Sequence, residues 1–366
     1  MTAPEHANVI LTIDLGAVAA NWRLIRDRLG GAECGAVIKA NAYGLGLKPV
    51  AETLWRAGCR TYFVALTEEG AALRAILPQA DIFVLHGLAP REEAEFVAQR
   101  LIPVLNATDE IARWGAFGRA RGAAPLSGAI MIDTGMSRLG LEPREAQALA
   151  ARPEALDGIA LTCMMSHLIA AEERGNPLTA RQLADFNALR GLFPPARASI
   201  CNSSAAFLGH EYALDLARPG AAIFGLAPIA GEPNPMAPVV TLSARILQVR
   251  EIDSPRTVGY GATHRATAPT RIATVAVGYA DGYLRALSSR ASGLLAGHRV
   301  KLVGRVSMDL ITFDVTDVPE RLARAGARIE LIGPGHTPDD LAAEAGTIGY
   351  EILTALGPRY HREYVG

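Results

Sequence analysis

Short apolar runs alternate with segments of helical periodicity from Gly35 to about residue 220, and this alternation constrains the fold most. The eight runs are Ala36–Ile38, Tyr62–Leu66, Ile82–Leu85, Ile102–Leu105, Ala129–Ile132, Ile159–Met165, Ala198–Cys201 and Ala213–Leu216. The helical segments between them include Pro49–Ala57, Glu68–Ile76, Arg91–Gln99, Asp109–Arg119, Arg144–Ala151 and Thr179–Leu192. Eight alternating strand–helix units predict an α/β fold, specifically a (β/α)8 TIM-like barrel of parallel strands.

Both flanks of the alternating region have a different pattern. An apolar strand at residues 8–13 precedes an amphipathic helix, for which Asp14 is a candidate N-cap and Gly30-Gly31 a candidate end. A segment rich in Pro, Gly and Asn, residues 228–238, follows the barrel. Beyond it, short apolar runs separated by turn residues predict a mainly β domain, in which only Asp339–Ala345 and Ile348–Leu356 have a helical pattern.

The length agrees with two domains, because a TIM barrel takes about 250 residues and the chain has 366. We place a barrel in residues 1–235 and a mainly β domain in residues 236–366. The first strand, residues 8–13, is a candidate to pack with the second domain.

Composition excludes several classes of function. The net charge of −1 gives no basic excess for nucleic-acid binding, and no apolar stretch is long enough to cross a bilayer. The N-terminus has no basic segment before an apolar run, so we expect a soluble, cytoplasmic protein without a signal peptide. The four cysteines and eight histidines are scattered, which predicts reduced thiols and no metal site.

Polar residues follow five of the predicted strands, and active sites of such barrels lie at the C-terminal strand ends. They are Lys39, the segment Asp133–Arg138, His167, Asn202-Ser203-Ser204 and Arg218-Pro219-Gly220. Each alone would commonly be a surface, capping or packing residue. Together, a lysine with a buried stem, an arginine and a helix start able to bind an anion indicate a lysine Schiff base to pyridoxal phosphate.

The motifs around these residues resemble those of bacterial alanine racemases. In chain order they are AVIKANAYGLG (36–46), DTGMSRLG (133–140), SH (166–167), NSSA (202–205), RPG (218–220), GYGATH (259–264), GYADGY (278–283), GRVSMD (304–309) and GYEIL (349–353). The resemblance covers nearly the whole chain. It implies a pyridoxal 5'-phosphate enzyme that interconverts L-alanine and D-alanine, supplying D-alanine for cell-wall precursors or L-alanine for catabolism.

The resemblance also implies a role for each matching residue. Lys39 would carry the cofactor and act as one base, Tyr260 would be the base on the opposite face, and His167 would orient Tyr260. The residues implied to hold the cofactor are Lys39, Tyr43, Asn202, Ser203, Arg218, Gly220, Ala221 and Tyr350. Those implied to surround the substrate or its entrance are Arg138, Met308, Tyr279 and Asp309. In the family the residues of the second domain reach the active site of the other subunit, so a homodimer with shared active sites is implied.

Two positions depart from some relatives. Met131 stands where several racemases carry a carbamylated lysine that braces the arginine here numbered Arg138. Ser199 stands where some relatives have a second histidine near the cofactor. Neither position supplies one of the two bases, so the expected activity is unchanged.

Other functions compete with alanine racemisation. A racemase of broader amino-acid range, acting for example on serine, is the first. A decarboxylase on a similar barrel would not need Tyr260, and a non-catalytic cofactor-binding protein would not need the second domain. An interaction protein without a cofactor is the last; a colourless protein that takes up no cofactor would favour it.

Overall fold

The computed structural model describes residues 6–366. The strands of the first part are β1 (Val9–Asp14), β2 (Glu33–Cys34), β3 (Ala36–Val37), β4 (Thr61–Val64), β5 (Asp81–Val84), β6 (Ile102–Leu105), β7 (Leu126–Met131), β8 (Ile159–Met165), β9 (Arg197–Ser199) and β10 (Leu216–Ala217). Its α-helices are Leu15–Asp27, Leu47–Ala57, Thr67–Ile76, Glu93–Ala98, Thr108–Ala120, Pro143–Ala150 and Pro177–Arg190. Short 3-10 helices lie at Pro153–Leu156, Ala205–Phe207, His210–Tyr212 and Ala221–Phe224.

Strands β3 to β9 form a parallel sheet of seven strands in chain order, and β10, which pairs with β2, lies between β9 and the start of β3. Asp215 and Arg218 donate backbone hydrogen bonds to the carbonyls of Ala198 and Cys201, at 3.1 and 2.8 Å. On the other side, Gly35 donates to the carbonyl of Ala217 at 2.9 Å. The predicted barrel is therefore confirmed.

The eighth strand begins later than predicted. We expected it at Ala213–Leu216, and it occupies Leu216–Ala217. The cause is local: a 3-10 turn ends at Tyr212, and Leu214 has a φ of 49°, which is incompatible with an extended strand.

The first helix starts where the sequence predicts and ends earlier. Asp14 caps it, accepting a hydrogen bond from the Ala17 N–H at 2.8 Å. The regular helix stops at Asp27 and not at Gly30-Gly31, because the N–H groups of Arg28 and Leu29 bond three residues back in a tighter turn.

The second part of the chain is mainly β. Its strands are β11 (Val240–Ile252), β12 (Thr257–Val258), β13 (His264–Arg265), β14 (Thr270–Val275), β15 (Ser292–Leu295), β16 (His298–Leu302), β17 (Ile311–Asp314), β18 (Arg328–Ile332) and β19 (His361–Val365). Its 3-10 helices are Tyr260–Ala262, Tyr279–Asp281 and Arg285–Leu287, and its α-helices are Pro338–Ala345 and Gly349–Ala355. A mainly β domain after the barrel is thus confirmed.

The large sheet of this domain closes on itself. Its order is β14-β17-β16-β15-β18-β11, and β11 also pairs with β14. Strand β1 adds antiparallel to β11, with Leu11 opposite Leu242, and β19 adds parallel to β1. The N-terminal strand therefore lies in the sheet of the second domain, and the following helix leads into the barrel.

One continuous apolar core joins these layers. It includes Leu11 and Ile13 of β1, Phe63 of the barrel and Leu242 of β11, all of which are fully buried. Within residues 6–366, no helix is long and apolar enough to cross a membrane.

Candidate active site

A cavity of about 550 Å³ lies at the C-terminal ends of the barrel strands. Its volume is in the range of small-molecule sites, about 300–1,000 Å³. The sequence-predicted residues that line it are Lys39, Tyr43, Arg138, His167, Asn202, Ser203, Arg218, Gly220, Ala221 and Tyr350. The fold thus brings together all the predicted residues of the barrel, and with them Tyr350 of the second domain.

Lys39 begins a left-handed helical turn. Ala40, Asn41, Ala42 and Tyr43 all have φ between 52° and 54°. A left-handed conformation costs about 1–2 kcal/mol for each L-residue, so the surrounding structure must stabilise it. The turn reverses the chain directly after β3, so that both Lys39 and Tyr43 reach the cavity.

Neighbouring polar groups stabilise this turn. Glu69 accepts a hydrogen bond from the Ala40 N–H at 2.6 Å, and the Asn41 side chain accepts one from the Leu47 N–H at 2.8 Å. Gly44 ends the turn with a φ of 83°, and a Cβ there would lie 2.4 Å from the carbonyl oxygen of Leu353. The KANAYG segment thus forms a left-handed turn that places Lys39 at the cavity.

The environment of Lys39 favours its neutral amine. Burial, followed by the charge of Arg138, lowers the pKa of Lys39, and Glu69 partly offsets this. A lower pKa increases the fraction of unprotonated amine at neutral pH, which is the form that attacks a carbonyl or accepts a proton.

Ser203, Gly220 and Ala221 line the same cavity as Lys39 and form a candidate anion-binding cradle. The Ser203 hydroxyl accepts hydrogen bonds from the N–H groups of Gly220 and Ala222, at 2.9 and 3.2 Å. The Ala221 N–H, at the start of a short helix, has no hydrogen-bond acceptor within residues 6–366. A Cβ on Gly220 would lie 2.4 Å from the Tyr43 hydroxyl, so only glycine leaves this space open.

Two tyrosines complete the cradle. The rings of Tyr43 and Tyr350 are 6.0 Å apart, and both residues line the cavity. Burial raises the pKa of both phenols, so they remain protonated donors at neutral pH. Backbone N–H groups together with hydroxyl donors suit a phosphate group.

Arg218 is a buried cation without an acidic partner in the described part of the chain. It is 5% exposed and donates to the Ser166 carbonyl at 2.6 Å and to the Ser199 hydroxyl. Ser199 in turn donates to the Leu216 carbonyl at 2.5 Å. The serine that replaces a histidine of some relatives thus holds Arg218 in place, and the guanidinium can donate to an uncharged acceptor such as a pyridine nitrogen.

His167 lies among cations. Burial, followed by the charges of Arg218, Arg138 and Lys39, lowers its pKa to about 3. A neutral imidazole is therefore present at all physiological pH values, and it can both donate and accept a hydrogen bond.

This lowered pKa predicts a pH-dependent contribution to stability. The unfolded histidine binds a proton below its ordinary pKa of 6.5, whereas the folded one stays neutral down to about pH 3. Stability is thus lost as pH falls through this window, by at most about 1.4 kcal/mol per pH unit. We expect His167→Gln to flatten the dependence of the unfolding free energy on pH between these values in urea titrations. Parallel curves for wild type and variant would contradict this.

Arg138 stands on a loop that Asp133 organises. The Asp133 carboxylate accepts hydrogen bonds from the N–H groups of Gly135, Met136 and Ser137, each at 2.8 Å. Arg138 itself makes no ion pair with any residue from 6 to 366, and Met131 lies buried in the same cavity wall. Among residues 6–366, no acidic side chain pairs with Arg138 where the resemblance implies a carbamylated lysine in several relatives.

Two buried amides near the cavity, Gln182 and Asn106, were not predicted from the sequence. Gln182 is 2% exposed and donates to the His167 carbonyl and the Thr134 hydroxyl, which fixes the strand ends that carry His167 and Arg138. Gln182 lies within a helix and not at a strand end, so the strand-end rule could not identify it. Asn106 lines the cavity and follows β6 directly, so the strand-end rule could have identified it.

Four predicted residues lie outside the cavity, on the second domain: Tyr260, Tyr279, Met308 and Asp309. We call this set the donor face, because the resemblance implies that these residues reach the active site of another subunit. All four are exposed; Tyr260, for example, is 74% exposed. The loops of Tyr279 and of Met308-Asp309 are neighbours, because Tyr279 and Ala280 donate backbone hydrogen bonds to the carbonyls of Ser307 and Met308. The Tyr260 turn lies beside the same segment, since a Cβ on Gly261 would lie 3.1 Å from the guanidinium of Arg305. A single chain thus brings one group of predicted residues together in the barrel and presents the other to solvent.

Comparison with known proteins agrees with this architecture. The family model described as "Alanine racemase, N-terminal domain" matches residues 13–228, and the one described as "Alanine racemase, C-terminal domain" matches residues 239–364. The chain is 52% identical over 365 residues to an alanine racemase of Rhodospirillum rubrum, covering 99% of this chain and 97% of the relative. It is 48% identical to a catabolic alanine racemase of Mesorhizobium japonicum, covering 98% and 94%.

Solved structures give the same result. The structure of alanine racemase from Bartonella henselae, which has covalently bound pyridoxal phosphate, superposes with a TM-score of 0.95 at 38% identity, covering 98% of this chain and all of that one. A biosynthetic alanine racemase from Pseudomonas aeruginosa gives a TM-score of 0.91 at 35% identity, with the same coverage. The resemblance of the motifs is therefore confirmed, and the chain belongs to the alanine racemase family.

Proposed function

We propose that this protein interconverts L-alanine and D-alanine with pyridoxal 5'-phosphate, in an active site completed by a second copy of the chain. The observation that carries the proposal is the cavity, in which Lys39, the anion cradle and the buried Arg218 meet. This combination fits a cofactor that has an aldehyde, a phosphate and a basic ring nitrogen.

Different cavity residues would hold different parts of the cofactor. Lys39 supplies the amine that binds it covalently. Ser203, Gly220, Ala221, Tyr43 and Tyr350 would hold its phosphate. Asn202 lines the same cavity, and its side chain also accepts a hydrogen bond from the Ala205 N–H at 2.9 Å. When bound, pyridoxal phosphate withdraws electrons from the Cα of an attached amino acid and so makes the Cα proton acidic.

Arg218 sets the strength of this electron withdrawal. A guanidinium does not give up its proton near neutral pH, so Arg218 would donate a hydrogen bond to the ring nitrogen of the cofactor without protonating it. We infer that this limits negative charge on the cofactor and favours immediate return of a proton over side reactions such as transamination.

Racemisation needs a proton removed on one face of Cα and returned on the other. Lys39 is the base on the cofactor side, and its lowered pKa suits that role. Tyr260 of the second chain is the base on the opposite face. Neutral His167 orients Tyr260 by a hydrogen bond, and Arg138 with the Met308 region holds the substrate carboxylate.

The position of the donor face supports the proposal of a homodimer with shared active sites. Lys39 lines a cavity while Tyr260 is 74% exposed and absent from the lining of that cavity. A twofold pairing that sets each donor face on the partner's cavity completes two equivalent sites. The same pairing places Tyr279 and Asp309 at the entrance.

The narrow entrance favours a small substrate. Tyr279 and Met308 would restrict the space beside the Cα substituent, which supports alanine over larger amino acids. The alternative is a racemase of broader range that also accepts serine. We also propose a cytoplasmic location, because the four cysteines are buried free thiols, as is usual in a reducing compartment.

The test is a racemisation assay with each enantiomer of alanine, serine and larger amino acids, together with the visible absorbance of the purified protein. We expect a yellow protein that racemises alanine fastest. A colourless protein that takes up no added cofactor would reject the proposal, whereas equal rates on alanine and serine would favour the broader range.

A further inference from the structure

An ion-pair bridge through Arg359 joins two loops of the donor face, that of Tyr279 and that of Met308 and Asp309. Arg359, in the segment that leads into β19, contacts two acidic side chains. Its Nε lies 3.0 Å from Asp281, and its NH1 group lies 2.9 Å from Asp309. Asp281 belongs to the loop of Tyr279, and Asp309 directly follows Met308.

The two ends of this bridge differ in burial. The side chain of Asp281 is 6% exposed, while those of Asp309 and Arg359 are about half exposed. Asp281 also accepts a hydrogen bond from the Gly278 N–H at 2.8 Å, so it fixes the start of the Tyr279 turn. Arg359 therefore connects a buried, structured carboxylate with an exposed one on the neighbouring loop.

The backbone around Arg359 holds it in position. Gly357 donates a hydrogen bond to the Asp281 carbonyl at 3.0 Å, and a Cβ on Gly282 would lie only 1.8 Å from the Ala355 carbonyl oxygen. Arg362 donates to the carbonyls of Leu356 and Gly357. This close packing fixes the backbone from which the Arg359 side chain reaches both loops.

From this geometry we propose that Arg359 is a positioning residue for the substrate entrance: by bridging Asp281 and Asp309, it fixes the Tyr279 and Met308 loops relative to each other. The inference rests on the proposed function, in which these loops surround the substrate in the partner's site. Without Arg359, the carboxylates of Asp281 and Asp309 would lose the cation between them, and their repulsion would oppose the backbone hydrogen bonds that join the two loops.

The planar fork of arginine is needed for this role. Its Nε and NH1 groups reach two different carboxylates, whereas a lysine ammonium is a point charge that pairs well with one. Arg359→Met removes the charge and keeps an unbranched apolar stem. Arg359→Lys keeps the charge but pairs well with only one carboxylate, so it should have a smaller effect in the same direction.

The experiment compares steady-state kinetics of the purified dimeric holoenzyme in four forms: wild type, Arg359→Met, Arg359→Lys and Arg359→Met with Asp309→Asn. We expect Arg359→Met to raise the KM for alanine about tenfold while kcat falls less than about threefold, because Lys39 and the cofactor site are unchanged. The cofactor absorbance per chain should equal that of wild type. The double variant should recover at least about threefold of kcat/KM, since it removes the repulsion between the acids.

Arg174→Met is the matched control. Arg174 is 49% exposed and pairs with Glu232 at 2.5 Å, far from the donor face in sequence and on the barrel side of the chain. We expect its kinetics to equal those of wild type. An Arg359→Met enzyme with the same KM as this control would overturn the inference, and so would a double variant without any recovery.

The design separates this inference from the proposed function. A wild type that does not racemise alanine rejects the function, while an active wild type with an unaffected Arg359→Met rejects only the role of Arg359. If Arg359→Met does not fold, Arg359→Lys decides, because it retains the charge and should still raise KM. A loss of cofactor or of dimer in that lysine variant would show a general structural role and contradict the inference.

Discussion

The Lys39→Ala variant is expected to lose racemisation of alanine by about 10³-fold or more, because it removes both the covalent attachment of the cofactor and one of the two bases. The anion cradle and Arg218 remain, so the variant should still bind pyridoxal phosphate, though without a covalent bond. Borohydride reduction followed by mass spectrometry measures this directly. Wild-type protein should carry reduced cofactor on Lys39, and the variant should carry none.

The chain offers matched controls for this experiment, since it has only two other lysines, Lys48 and Lys301. Both are exposed and lie outside the cavity. Lys48→Ala and Lys301→Ala should retain activity and cofactor. Cofactor trapped on either of these lysines in the wild type, or a Lys39→Ala enzyme with substantial activity, would refute the assignment.

The Tyr260→Phe variant is expected to lose proton exchange on one enantiomer of alanine far more than on the other. Each base faces one side of Cα, so the base that remains can still exchange the proton of the enantiomer it faces. In deuterated water, the rates of Cα deuteration of L- and D-alanine should differ by about 100-fold or more in the variant, and much less in the wild type. Net racemisation should fall in both directions, because a full turnover needs both bases.

Tyr279→Phe serves as the control for Tyr260→Phe, since it removes a hydroxyl from a second exposed tyrosine on the same donor face. Its effect on deuteration should be similar for the two enantiomers. An equal loss for both enantiomers in Tyr260→Phe would contradict the arrangement of bases on opposite faces.

The sequence predicted the barrel and its site because both depend on local pattern. Strand–helix alternation defined the strands, and the rule that sites lie at the C-terminal strand ends selected Lys39, His167, Ser203 and Arg218. Those side chains do line one cavity. The Asp14 cap was likewise predictable, because a cap is a contact within one turn of helix.

Features that depend on contacts distant in sequence were not predictable. The left-handed turn after Lys39 relies on Glu69 and on the close approach of Leu353 to Gly44. The Arg359 bridge needs three segments, around residues 281, 309 and 359, to meet. Periodicity carries no information about such contacts.

Arg138 is positioned differently from what the resemblance to several relatives implies. The resemblance implies that a carbamylated lysine braces the matching arginine in several racemases. This chain has the thioether of Met131 at that position, and no acidic side chain among the described residues pairs with Arg138. Asp133 still fixes the loop through three hydrogen bonds to its backbone. The position of Arg138 is therefore set by the loop backbone, and its guanidinium remains available to a substrate carboxylate.

The central claim is that each active site combines Lys39 of one chain with Tyr260 of another, and subunit exchange between two inactive variants tests it most directly. Lys39→Ala and Tyr260→Phe homodimers are mixed in equal amounts, dissociated, reassociated and assayed for alanine racemisation. With shared sites, half of the dimers are mixed and each has one intact site, so the account predicts about a quarter of the wild-type activity. If Lys39 and Tyr260 of the same chain formed the site, every site in a mixed dimer would lack one base. The mixture would then stay inactive, and that result would contradict the account.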